Sequence, residues 1–223
     1  MPEELSEKEN HKSDQNRPPS DPDSHKTLYS IRVKAIQPML PTQLLYIASQ
    51  FASKDDWKPN INGINIKRKE DQITITSTDG FRAFRCTFEN PYFMEEEELN
   101  LSVSAFKKRI PKGKVTTLKD GMATVMDDKN QIIVVNPYET LEVEYPKVDQ
   151  IWPDSFKNDS GEPITIDPNL LADFLIEMKR YGTGRVKMEF NKKTNPLQFS
   201  GVIDCFGTEF NVEFLLMPVL VRD

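Results

Sequence analysis

The chain has 223 residues, of which 37% are hydrophobic and 29% charged, with a formal net charge of −6. That is enough apolar material for the core of one domain or two small ones, and the acidic balance excludes a chain that coats nucleic acid by being basic throughout. No segment has the uninterrupted apolar length of a membrane helix, and the N-terminus lacks the cationic start and apolar middle of a signal peptide, so a cytoplasmic protein is expected.

Residues 1–27 hold few apolar side chains, closely spaced prolines (Pro18, Pro19 and Pro22) and an excess of acids. Such a segment cannot offset its ordering entropy by burial and reads as a disordered acidic, polar arm. After it, "LYSIRVKAI" (28–36) alternates like a strand, and "TQLLYIASQFAS" sets Leu44, Ile47, Ala48 and Phe51 on one helical face. Three strand-like runs follow: "INGINIKRK", "DQITITST" and "FRAFRCTF". Asp79-Gly80, between the last two, is a strong hairpin signal. This unit reads β-α-β-β-β.

The order returns from residue 97. "ELNLSVS" predicts a strand, "SAFKKRI" a short helix stopped by Pro111, and "KVTTLKD", "GMATVMD" and "QIIVVNP" three more strands. An extended run, "LEVEYPKV", leads to Trp152-Pro153. A third unit opens with "PITI", takes Asp167 as helix cap and Pro168 as first helical residue, and buries Leu171, Phe174, Leu175 and Met178 on one face. "RVKMEF", "LQFSGVI" and "EFNVEFLLM" complete it. An α+β protein is predicted, with repeated half-domains whose helices all lie on one side of antiparallel sheets.

Cys86 and Cys205 stand in strand-like runs without a CxxC partner, which favours buried free thiols over a disulfide or metal site. His11 and His25 are the only histidines, and both fall in the arm. The presumed folded region thus has no imidazole for a nucleophile pair, a zinc site or a general base. The common phosphate-binding glycine motifs are missing as well. A non-enzymatic protein without cofactor or metal is expected.

The motifs resemble those of the β sliding clamp of bacterial DNA polymerase III, the ring that tethers a polymerase to DNA. In that family a strand with an apolar residue before Asn-Gly is followed by a Thr-Asp-Gly-His-Arg-Leu turn. Here these are "INGI" and "TDGFRA", with Ile61 and Thr78 seventeen positions apart. "FLLMPVLV" resembles the family's closing strand, and "YPKVDQIWP" the segment that closes its middle domain. On this likeness residues 28–155 form a clamp domain of two half-units like the family's middle domain, and residues 156–223 one further half-unit.

The resemblance implies a hydrophobic groove that accepts short client peptides. Carried over, it would use Ile61, Thr78, Gly80, Phe81, Arg82, Ala83, Pro153, Leu215, Met217, Pro218, Val219 and Val221. Phe81 and Ala83 depart from the family's His and Leu, and Leu220 from a basic residue, so client preference is expected to differ. The DNA-facing side would carry Lys107, Lys108, Arg109, Lys112, Lys114, Lys179 and Arg180, whose contacts to phosphate need no base sequence.

The implied partners are duplex DNA, a polymerase or other replication and repair clients, and a clamp-loader ATPase. The family's chain has six units and this one three, so about four copies would close a ring of roughly twelve units, and a homo-oligomer is expected. The alternative is a clamp-derived module that captures client peptides, or modulates a host clamp, without encircling DNA.

Overall fold

Leu40–Pro41 (β1) leads directly into α1, Thr42–Phe51, whose apolar residues Leu44, Leu45, Ile47, Ala48 and Phe51 are all buried. The computed structural model describes residues 39–55, 57–89, 96–111, 113–153, 155, 164–190 and 195–219. The expected strand at 28–36 and the arm lie outside them, as do Lys112 and Val221. Among the described residues no helix is long and apolar enough to cross a membrane.

Three strands follow α1: β2 (Gly63–Lys69), β3 (Gln72–Thr78) and β4 (Arg82–Glu89). The second unit supplies β5 (Glu97–Ser102), β6 (Val115–Lys119), β7 (Met122–Met126) and β8 (Ile132–Pro137). The third supplies α2 (Pro168–Tyr181), β9 (Gly182–Glu189), β10 (Leu197–Cys205) and β11 (Thr208–Leu216). Asp167 caps α2, its carboxylate accepting from the Asn169 N–H, and Pro168 occupies the first turn.

The units exchange their first strands. β5 of the second unit pairs with β2 of the first, Asn65 opposite Asn100, and β1 of the first pairs with β6 of the second. Sheet orders are therefore β1-β6-β7-β8 and β5-β2-β3-β4-β11-β10-β9. In the seven-stranded sheet β4 and β11 run antiparallel with Phe84 opposite Phe214, joining the first unit to the third. The rings of Phe51 on α1, Phe214 on β11 and Phe174 on α2 follow one another at centroid distances of 5.2 and 4.8 Å, so both helices cover the same face of that sheet. Cys86 and Cys205 are free and buried, and burial pushes both thiols up, Cys205 to about 12, which leaves them unreactive.

Three expectations need correction. The helix predicted at "SAFKKRI" is only a 3₁₀ turn, Val103–Ala105, held by the Ser102 hydroxyl, and Lys107 and Lys108 follow it as a bend leading to Arg109. A stretch this short, with three consecutive cations, has too few apolar positions to anchor a second helical turn. Leu175 is 44% exposed, because α2 lies on an edge strand and only the Phe174–Met178 side of it meets the core. Ile164 and Ile166 pack against the core without joining a sheet, where "PITI" predicted a strand.

Candidate functional site

The stretch "TSTDGFRAF" makes a closed turn between β3 and β4. The Thr78 hydroxyl donates to the Arg82 carbonyl at 2.7 Å and accepts from the Gly80 N–H at 3.0 Å. One Asp79 carboxylate oxygen accepts from the Phe81 and Arg82 N–H groups, and the other from Arg82 Nε at 2.9 Å. Gly80 has φ +91°, a conformation a side chain would strain. Beyond the turn, β4 alternates. Phe84 and Cys86 enter the core, while Ala83 faces the other side and packs with Leu215, Tyr145, Val148 and Trp152 in a small second cluster.

Over that cluster lies an apolar pocket of about 330 Å³ lined by Asn60, Ile61, Thr78, Gly80, Arg82, Ala83, Pro146, Lys147, Val148, Ile151, Leu215 and Met217. Its far wall is the 3₁₀ turn Val148–Ile151. Arg85 fixes this wall. Its guanidinium lies 4.2 Å from the Trp152 ring centroid, pairs with Glu213 at 2.5 Å and reaches Asp149 at 3.6 Å. Leu215 faces Ala83 across β4 and β11, and the Met217 N–H donates to the Phe81 carbonyl at 2.9 Å, carrying the pairing past the end of the strand.

The structure thus gathers Ile61, Thr78, Gly80, Arg82, Ala83, Leu215 and Met217 around one pocket. Pro153, Pro218 and Val219 are not among its lining residues. Phe81 is 59% exposed and borders a neighbouring, more polar depression with Lys54, Asp55 and Lys58, the Lys58 Nζ lying 5.6 Å from its ring centroid. Phe81 is not among the residues that line the apolar pocket. Arg82 is buried, with its guanidinium held by Asp79, by Asp173 at 2.7 Å and by the Leu170 carbonyl at 3.0 Å. It braces the pocket from behind. Pro146, Lys147, Val148 and Ile151 escaped the sequence reading, although Val148 and Ile151 in "VDQI" already stand at helical spacing.

Of the expected DNA-facing residues, Lys107, Lys108, Arg109, Lys179 and Arg180 are exposed, and Lys114 is half-buried with its Nζ 5.9 Å from the Phe206 ring centroid. Arg109 stands 5.7 Å from the Tyr181 ring centroid at the end of α2, which brings the basic bend of the second unit against the third. Between them sits Glu177, buried and bonded to Arg180 at 2.8 Å. Burial pushes its carboxyl above the usual carboxylate range, opposed by Arg180 and Arg109.

Among solved structures this architecture recurs in bacterial DNA sliding clamps, and the chain has their fold. The β subunit of DNA polymerase III from Thermotoga maritima superposes with a TM-score of 0.58 at 15% identity, covering 84% of this chain and 66% of that one. For the β chain from Streptococcus pneumoniae the figures are 0.61, 13%, 95% and 69%. For the sliding clamp from Pseudomonas aeruginosa, solved bound to griselimycin, they are 0.58, 10%, 84% and 66%. The chain therefore spans about two thirds of the length of these neighbours. No protein-family model matches it, and no curated protein does.

Proposed function

We propose that the protein is a non-catalytic, sliding-clamp-like processivity factor that holds duplex DNA without sequence preference and tethers a polymerase or other clients through the apolar pocket. The observation that carries this reading is the pocket itself. Ile61, Thr78, Gly80, Arg82, Ala83, Val148, Ile151, Leu215 and Met217, far apart in the chain, converge on one concavity of about 330 Å³, within the range of ligand sites. Its lining suits apolar peptide anchors, and Lys147 at the same site suits an acidic neighbour in the client. The exposed cations at 107–109 and at the α2 C-terminus would meet phosphate, and a clamp-loader ATPase would be needed if the ring closes before DNA arrives.

The test is binding of a fluorescent peptide carrying two adjacent apolar anchors. Met217→Glu and Ile151→Glu replace half-exposed residues, so folding is preserved, and each is expected to weaken the peptide at least tenfold. Lys108→Glu should leave peptide binding intact and weaken DNA. Unchanged peptide affinity in both groove variants would sink the reading.

A second reading keeps the pocket and drops the ring: a module that captures client peptides, or modulates a host clamp, without encircling DNA. What favours it is that the pocket is lined entirely by residues of one chain and needs no ring to form.

A further inference from the structure

The pocket has two sides of different kinds. One is sheet: Thr78, Ala83 and Leu215 stand on β3, β4 and β11, which are joined by ladder hydrogen bonds. The other is the chain around the Val148–Ile151 turn, which belongs to neither sheet and supplies Pro146, Lys147, Val148 and Ile151. Asn100 pins the approach to it. Its side-chain amide donates to the Val143 carbonyl and its own carbonyl accepts from the Leu141 N–H, both at 2.7 Å. Past Val143, among the described residues, the backbone bonds close on the segment itself, the Val148, Gln150 and Trp152 N–H groups donating to the Pro146, Lys147 and Asp149 carbonyls. What ties this side to the sheet is therefore side chains.

Tyr145, Val148 and Trp152 pack on Ala83 and Leu215, and Arg85 reaches across from β4. Glu213, directly opposite Arg85 on β11, holds the guanidinium from the sheet, one carboxylate oxygen accepting from Nε at 2.6 Å while Gln198 donates to the other at 3.4 Å. The same guanidinium lies over the Trp152 ring and reaches Asp149. A buried indole N–H usually finds an acceptor. That of Trp152 is buried without a hydrogen-bond partner, so packing and Arg85 seat the ring in place of a bond of its own.

We propose that Arg85 latches the 146–151 segment as a jaw of the pocket, and so positions a client's apolar anchors without touching them. Arg85 is not among the lining residues. It acts through Trp152, and its planar shape is what the task needs: an edge bonded to Glu213 and a face over the indole at once, which the point charge of a lysine does not provide. With the latch lost, Glu213 stays partly solvated and bonded to Gln198, so the sheet is kept. The jaw is not, and an anchor in the pocket loses the wall formed by Val148 and Ile151. The consequence for clients rests on the proposed function; the latch does not.

The experiment uses the full chain carrying Trp57→Phe. The chain has two tryptophans, Trp57 at 93% exposure and Trp152 at 8%, so this substitution leaves the jaw as the one source of indole emission. Arg85→Met keeps the apolar stem and loses the planar cation. It is expected to red-shift Trp152 emission, to raise its quenching by acrylamide, and to weaken the two-anchor peptide about tenfold, with far-ultraviolet circular dichroism unchanged. Arg85→Lys, the gentler change, keeps the charge without the flat face and is expected to shift the emission in the same direction. Asp149→Asn removes only the exposed ion pair and should change peptide affinity less than about threefold. Emission unshifted in both Arg85 variants would overturn the latch. Shifted emission with full peptide affinity would overturn the positioning role. The emission is read without peptide, so it decides the latch even where the parent chain binds none, a result that would sink the client reading instead.

Discussion

Arg82 ties together three parts of the molecule that meet behind the pocket. Its guanidinium bonds the turn through Asp79, α2 through Asp173 and the Leu170 carbonyl, and lies 5.0 Å from the ring centroid of Phe51 on α1. Removing one partner of a buried pair leaves the others uncompensated, which typically costs about 3–5 kcal/mol. Arg82→Met is therefore expected to lose about 3 kcal/mol in urea unfolding. Asp173→Asn, whose carboxylate is 47% exposed, should lose less than about 1 kcal/mol. Equal losses would show that the bracing role is misassigned. The same turn shows what single residues disclose in sequence. Thr78, Asp79 and Gly80 read correctly as a tight turn because their bonding is local. Phe81 carries no such local signal, since which of two adjacent depressions a residue borders depends on β11 and on Lys58, both remote in the chain.

At the scale of elements, α2 passes into β9 at Gly182 without a connecting loop. Its N–H donates to the Met178 carbonyl, and a Cβ there would stand 2.4 Å from that same oxygen. Backbone cannot give way as a flexible side chain would, so Gly182→Ala should cost about 1–3 kcal/mol, the usual range for overpacking. A change within about 0.5 kcal/mol, as at an ordinary surface site, would show that the junction tolerates a side chain. The strands β2 to β11 and both long helices were legible because their periodicity and turn residues are local signals. The exchange of β1 and β5 and the junction of β4 with β11 were not, because register between distant segments leaves no local trace. Gly63 is a partial exception. A Cβ there would meet the Leu101 carbonyl at 2.8 Å and the Leu141 side chain at 2.6 Å, so the glycine of "INGI" marks where β5 and the 141 segment approach the start of β2 closely, although nothing in the motif says which segments approach.

At the scale of the whole molecule, four strands end the two sheets among the described residues, β1 and β8 in one and β5 and β9 in the other, and β8 leaves Ile132, Ile133 and Val135 exposed at 65%, 40% and 43%. On the proposed clamp-like function, copies that associate through such an edge would extend the sheet, and Ile133→Glu is expected to weaken that association in sedimentation. Retention on DNA supplies the discriminating observable. A closed ring stays on covalently closed circular DNA after a salt challenge and leaves linear DNA by its ends, because topology holds it where ionic contacts no longer do. Equal release from both would leave the pocket as the functional core of a client-binding module. Retention lost in Ile133→Glu, with peptide affinity unchanged, would place the DNA-holding activity in the assembled ring and the client-holding activity in each chain.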